Sequence, residues 1–92
     1  MASLDAMKAI QITETGGPEV LVLRDIEAPV PDDDEVLVDV LVAGVNYIDT
    51  YYREGVYHAG LPFVPGLEGT GRVVHDPQGE IAPGTVVAWC DA

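Results

Sequence analysis

Residues 44–57 hold the side chains best suited to chemistry. Asn46, Asp49, Tyr51, Arg53 and Tyr57 all fall in Gly44-Val45-Asn46-Tyr47-Ile48-Asp49-Thr50-Tyr51-Tyr52-Arg53-Glu54-Gly55-Val56-Tyr57. All 4 tyrosines of the chain lie in this one stretch. A carboxamide both donates and accepts hydrogen bonds, so Asn46 can hold either kind of polar partner. Tyr51 and Tyr57 can position a ligand by ring stacking or by hydrogen-bonding one of its oxygens. Either could relay a proton, but an unperturbed phenol is a weak acid, which favours positioning over proton transfer. Each residue also has a structural reading. Asn46 suits the N-cap of a helix, and the tyrosines suit packing at the mouth of a barrel. Asp49 suits a first-turn carboxylate beside the positive end of a helix dipole. Arg53, four residues further on, is placed to pair with Asp49.

The elements that must position these residues are mostly strands. Met7 to Ile12 alternates apolar and polar residues and reads as a first strand. Thr15-Gly16-Gly17-Pro18-Glu19 reads as a turn, and Val20 to Ile26 as a second strand closing a hairpin. The prolines of Ala28-Pro29-Val30-Pro31 donate no hydrogen bond, so that segment is an extended connection. Val36 to Ala43, valine-rich and apolar on both faces apart from Asp39, is expected near the centre of the core. Asn46 to Glu54 is the one credible helix, capped by Asn46 and stopped by Gly55. Tyr57 to Pro65 reads as a loop. Gly69 to His75 and Thr85 to Trp89 are the remaining strands, with turns at Asp76-Pro77-Gln78-Gly79 and Pro83-Gly84. Short, evenly spaced strands with one short helix predict a mainly β chain, a small and partly open β-barrel. A chain ending just after a strand is expected to lack its last barrel strands and to leave an unpaired edge.

Composition narrows the partners. With 92 residues the chain makes at most one small domain, and its 48% hydrophobic content is enough for a core. The 4 basic against 16 acidic residues, net −12, argue against nucleic acid or an anionic membrane as a partner. Residues 1–6 have neither a basic start nor an apolar core, so they read as a loose leader ahead of a domain over 7–92. There is no apolar run of 18 residues to cross a membrane. The lone Cys90 forms no internal disulfide, fits a reducing cytoplasm, and reads as a small packing residue rather than a nucleophile. Asp32-Asp33-Asp34-Glu35 reads as a solvated turn rather than a metal site.

Several motifs occur together in order: Met7-Lys8-Ala9-Ile10, Gly16-Gly17-Pro18-Glu19-Val20-Leu21, Val36-Leu37-Val38, Gly44 to Asp49, Tyr51, Arg53 to Tyr57, Leu61-Pro62, Pro65-Gly66-Leu67-Glu68-Gly69-Thr70-Gly71, and Gly84 to Ala88. As a set they resemble the first domain of the zinc-free quinone oxidoreductases (the zeta-crystallin-like branch), within the medium-chain dehydrogenase/reductase superfamily. The resemblance implies a GroES-like barrel, incomplete here, with the dinucleotide-binding domain absent from these residues. It implies NADPH as the cofactor of the complete enzyme and hydride transfer to a quinone or conjugated carbonyl. It places Asn46 and Tyr51 against the cofactor and Tyr57 against the substrate, with Tyr51 and Tyr57 as the catalytic candidates. Zinc-dependent relatives carry a cysteine ligand where this chain has Asn46 and a histidine where it has Leu67, so the resemblance implies no zinc. It further implies a homodimeric, cytoplasmic parent and no turnover by the 92 residues alone.

Gly66, Gly69 and Gly71 lack the spacing and the strand–loop–helix setting of a dinucleotide site, so they read as close-packing or special-dihedral positions. Glu68 reads as structural. Residues 74–81 are shorter and more polar than the family's usual loop, which leaves the register of the last strand open. The alternative function is a free-standing, non-enzymatic barrel that binds a small ligand or a partner.

Overall fold

The computed structural model describes residues 6–91. The expected leader lies outside the described residues, except that Ala6 already belongs to the first strand. The elements in order are β1 (Ala6–Gln11), a 3-10 turn (Pro18–Val20), β2 (Val22–Glu27), β3 (Leu37–Ala43), α1 (Ile48–Glu54), β4 (Gly69–His75) and β5 (Val86–Trp89). They fall into two compact units. Of the described residues, one holds 6–28 and 45–66, the other 29–44 and 67–91. Mainly β structure with one short α-helix is as expected, and neither sheet closes on itself. Among the described residues, no helix is long and apolar enough to cross a membrane.

In the first unit β1 and β2 pair antiparallel, with Lys8 opposite Asp25 and Gln11 opposite Val22. Lys8 Nζ bonds Asp25 Oδ1 across the strands at 2.9 Å, with both side chains about 70% exposed (69% and 73%). Such an open pair contributes little. The first strand stops one residue earlier than expected because Ile12 leaves the hairpin. It exchanges both backbone hydrogen bonds with Phe63, at 2.8 and 3.0 Å, and is fully buried there. The second strand starts two residues later than expected. Pro18, whose ring presets φ, opens the 3-10 turn that buries Val20 instead.

The second unit is an antiparallel meander in the order β3-β4-β5. Its register runs from Gly69 opposite Trp89 to Arg72 opposite Val86, which settles the last strand. Gly69 and Gly71 let the neighbouring strands close on β4. A side chain at 69 would press on Trp89, and one at 71 would strike the Asp39 carbonyl oxygen, while Gly66 takes φ 114°. These are packing and dihedral roles, as the sequence suggested.

Two expectations are corrected in this unit. The apolar β3 is an edge strand, not the centre, and Val40, Leu41 and Val42 are exposed. Apolar residues on both faces bury a strand only when both faces have a cover, and among the described residues β3 pairs with β4 alone. Cys90 is exposed rather than packed, because it falls just past the last paired residue, Trp89.

The stretch that departs from the family pattern is organised by one carboxylate. Asp76 accepts backbone hydrogen bonds from Gln78 at 2.9 Å, Glu80 at 3.0 Å and Ile81 at 2.9 Å. The Gln78 and Ile81 bonds above all hold its carboxyl below the usual carboxylate range. A group whose pKa is depressed by folding stabilises the fold above its unfolded pKa and loses that effect as pH falls through its folded pKa. Carboxyl-carbon NMR should therefore place the Asp76 midpoint below the ordinary aspartate value. Asp76→Asn should flatten part of the acid limb of the unfolding curve. A midpoint at the ordinary aspartate value would refute this account.

Candidate functional site

The candidate residues gather around α1 in the first unit. The helix is short, and what starts it differs from expectation. Asn46 does not cap it. Tyr47 occupies the cap position in an αR conformation, with no side-chain cap bond. The capping is done from inside the helix. Asp49 Oδ2 accepts the Asn46 N–H at 2.9 Å, and the Asp49 N–H bonds back to the Asn46 carbonyl at 3.0 Å. The Asp49 bond is the returning half of a capping box, and the N–H that an Asn46 cap would take is already held by the Asn46 carbonyl. Asp49 Oδ1 is buried without a partner. Asn46 is exposed, and among the described residues its side chain makes no hydrogen bond.

Arg53 does not pair with Asp49 either. Its Nε donates to the Gly16 carbonyl at 3.1 Å, while the Gly16 N–H donates to the Arg53 carbonyl at 3.0 Å. The guanidinium lies 4.0 Å from Glu54, and the Arg53 side chain is only 18% exposed. This reciprocal clasp ties the C-terminal turn of α1 to the Gly16-Gly17 loop. Arg53→Ala should cost about 1.5 kcal/mol, the scale of a charge-assisted hydrogen bond. Lysine, with donors only at its tip, should recover little of it. Urea unfolding of the three proteins measures this, and an Arg53→Ala midpoint equal to that of the parent chain would refute it.

Gly55 ends the helix at φ 87°, in the left-handed region that favours glycine. The chain then doubles back, so that Val56 and Tyr57 both donate to the Tyr51 carbonyl, at 2.9 and 3.3 Å. That turn carries the Tyr57 ring onto the helix. Tyr51 meets Tyr57 edge-to-face, with centroids 5.5 Å apart and planes at 75°. Tyr47, one turn before Tyr51 on the same helix face, meets it at 5.5 Å and 79°. Tyr52 meets Tyr57 at 5.6 Å and 61°. Four rings therefore form one connected cluster, with Tyr51 and Tyr52 half-buried and Tyr47 and Tyr57 exposed.

The structure thus brings together Tyr51 and Tyr57, while Asn46 sits exposed just ahead of the helix, before its cap residue Tyr47. Sequence reasoning missed Tyr47 and Tyr52 as members. The signal was present for Tyr47 in its four-residue spacing from Tyr51. For Tyr52 it was not, because that contact depends on the backbone reversal at Gly55. Among the described residues, no three histidine, cysteine, aspartate or glutamate side chains converge as a metal-binding group.

The second unit has an open, largely apolar groove of about 610 Å³, lined by residues that include Pro29, Glu35, Val36, Val38, Val87 and Trp89. None of the candidate residues lines it. Glu68 belongs to this unit, where its carbonyl accepts the Gly44 N–H at 3.1 Å and its side chain lies against Gly44. That is the structural role expected of it.

Residues 32–92 match the alcohol dehydrogenase GroES-like domain. A quinone oxidoreductase of Pseudomonas aeruginosa is 51% identical over 67 residues, which are 72% of this chain and 21% of that protein. Among solved structures, mycobacterial Rv1454c complexed with NADPH is 45% identical with a TM-score of 0.87, covering 94% of this chain and 27% of the other. A cobalt- and zinc-bound thermostable alcohol dehydrogenase from Pyrobaculum aerophilum is 34% identical with a TM-score of 0.83, covering 90% of this chain and 26% of the other. The chain spans about a fifth of the length of the curated relatives it matches.

Proposed function

Since the chain belongs to the family of alcohol dehydrogenase GroES-like domains, we propose that residues 7–92 are the substrate-side domain of an NADPH-dependent quinone or enone reductase. The observation that carries this reading is the tyrosine cluster: an exposed ring, Tyr57, held edge-on by two half-buried ones. A flat, electron-poor quinone stacks favourably on such a ring, and the tyrosine hydroxyls offer hydrogen bonds to its oxygens.

In the complete enzyme, NADPH supplies the hydride. Asn46 and Tyr51 fit its nicotinamide end, because the exposed Asn46 carboxamide makes no hydrogen bond among the described residues and Tyr51 lies at the middle of the ring cluster. Tyr57 takes the substrate face. Tyr51 and Tyr57 hold and orient the ligand, and proton transfer is a lesser role for them. No zinc is needed, because quinones and activated enones accept hydride without a Lewis acid, and Asn46 and Leu67 are poor zinc ligands. One zinc per chain in metal analysis would overturn that part. These 92 residues hold no dinucleotide-binding domain and turn nothing over by themselves. The parent is a cytoplasmic homodimer.

The test is a titration of the 92-residue chain with 2-methyl-1,4-naphthoquinone, followed by NMR. Saturable shifts should concentrate on the Tyr51 and Tyr57 rings and the Asn46 side-chain amide. Shifts elsewhere, or none, would sink the site assignment, and NADPH-dependent reduction by the chain alone would sink its inactivity. The groove in the second unit favours a second reading, a non-enzymatic module that binds an apolar ligand beside Trp89. In that case the titration would perturb Trp89 and leave the tyrosines unmoved.

A further inference from the structure

We propose that Tyr52 is a positioning residue whose ring braces Tyr57, so that Tyr57 presents one fixed face to a flat quinone-type ligand. The proposal rests on reading Tyr57 as the substrate contact. Successive helical side chains diverge by about 100°. The neighbours Tyr51 and Tyr52 therefore approach Tyr57 from two directions rather than stacking as a pair. Their ring planes stand at 75° and 61° to that of Tyr57, with centroids 5.5 and 5.6 Å away. Both arrangements put a ring edge against a ring face, the favoured electrostatic geometry.

Tyr57 needs this support. It lies beyond the helix on a reversing turn and is 47% exposed. Its backbone is held by the bond from its N–H to the Tyr51 carbonyl, but a backbone bond does not choose a side-chain rotamer. An exposed ring free to rotate loses that freedom when a ligand stacks on it, which weakens binding. Two half-buried rings on a helix remove the freedom beforehand. Tyr51 alone contacts Tyr57 from one side, and Tyr52 supplies the second. The Tyr52 hydroxyl has no hydrogen bond among the described residues, so its contribution is the ring. Phenylalanine should replace it, and leucine should not.

The experiment uses the full 92-residue chain with specifically labelled tyrosines. Without ligand, a nuclear Overhauser contact should join the Tyr52 and Tyr57 rings, and Tyr52→Leu should move the Tyr57 ring resonances while backbone amides of β3, β4 and β5 stay in place. In the naphthoquinone titration, Tyr52→Leu should weaken binding about three- to tenfold, the scale of one aromatic pair. Tyr52→Phe should keep both the Tyr57 shifts and the affinity. The proposal is overturned by a missing Tyr52–Tyr57 contact, by Tyr57 resonances indifferent to Tyr52→Leu, or by a Tyr52→Phe chain that binds naphthoquinone at least about threefold more weakly than the parent chain. The first and third of these hold even where the leucine variant does not fold. Failure of the parent chain to bind naphthoquinone at Tyr57 instead removes the site reading, and the positioning role with it, whatever the ligand-free contact shows.

Discussion

Gly71→Val should cost the chain about 3 kcal/mol or more, the upper range for forcing atoms into a packed site. Gly71 lies in the central strand β4, opposite Val40 on one side and Val87 on the other. A Cβ there would overlap the Asp39 carbonyl oxygen and sit 2.6 Å from Val38 Cγ1. The first of these is backbone, which cannot rotate away. The overlap falls in the short regular stretch of β3, Val38 to Val40, between its two register shifts. Relief would mean separating β3 from β4, and with it the pairing that defines the second unit.

A domain of this size has roughly 5–14 kcal/mol of stability in total. The melting temperature should therefore fall by about 12 °C or more, at roughly 4–8 °C per kcal/mol. Gly60→Ala is the control. Nothing lies within 4 Å of a side chain there, and its φ is not positive. Thermal unfolding followed by circular dichroism decides the matter. A Gly71→Val melting point within a few degrees of the parent chain would show that the strands are not so closely bound.

The second large effect is on the candidate site. Tyr51→Ala should weaken naphthoquinone binding about a hundredfold. Two losses combine: a ring that contacts the ligand, on the order of 1–3 kcal/mol by analogy with stacked bases, and an edge-to-face brace for Tyr57, about 0.5–1.5 kcal/mol. Together they approach the roughly 2.7 kcal/mol of a hundredfold change. The Tyr51 carbonyl still accepts from Val56 and Tyr57 in the variant, so the turn itself should persist.

Tyr51→Phe separates positioning from proton transfer. In a complete reductase carrying this domain, a positioning role predicts turnover within about threefold, since an edge contact is kept at a typical cost well under 1 kcal/mol. A proton relay through the hydroxyl predicts a loss of about 100-fold or more in kcat. The first outcome is expected. The second would reassign Tyr51 as a general acid.

The sequence alone determined what depends on local pattern. Alternation in Met7 to Ile12, the valine-rich Val36 to Ala43 and the glycine-led Gly69 to His75 each made a strand within a residue or two. Gly55 ended the helix as its lack of a side chain allows. The ordered motif set identified the family and located the tyrosine stretch. These were legible because strand periodicity, helix stops and turn residues act over a few neighbouring positions.

Only the tertiary structure decided which of two nearby groups wins a contact, and which contacts cross the chain. The Asn46 side chain and its own backbone carbonyl both lie within reach of the Asp49 N–H, and only the placed backbone shows that the carbonyl takes it. Arg53 chose Gly16, 37 residues away, over Asp49 four residues away, because the loop offers a carbonyl in a half-buried setting. β3 has the composition of a central strand but, among the described residues, pairs with β4 alone. Tyr52 touches Tyr57 only because the chain reverses at Gly55. In each case hydrophobicity and spacing state what a residue can do, whereas burial and hydrogen bonding depend on which partner the fold brings within about 3 Å.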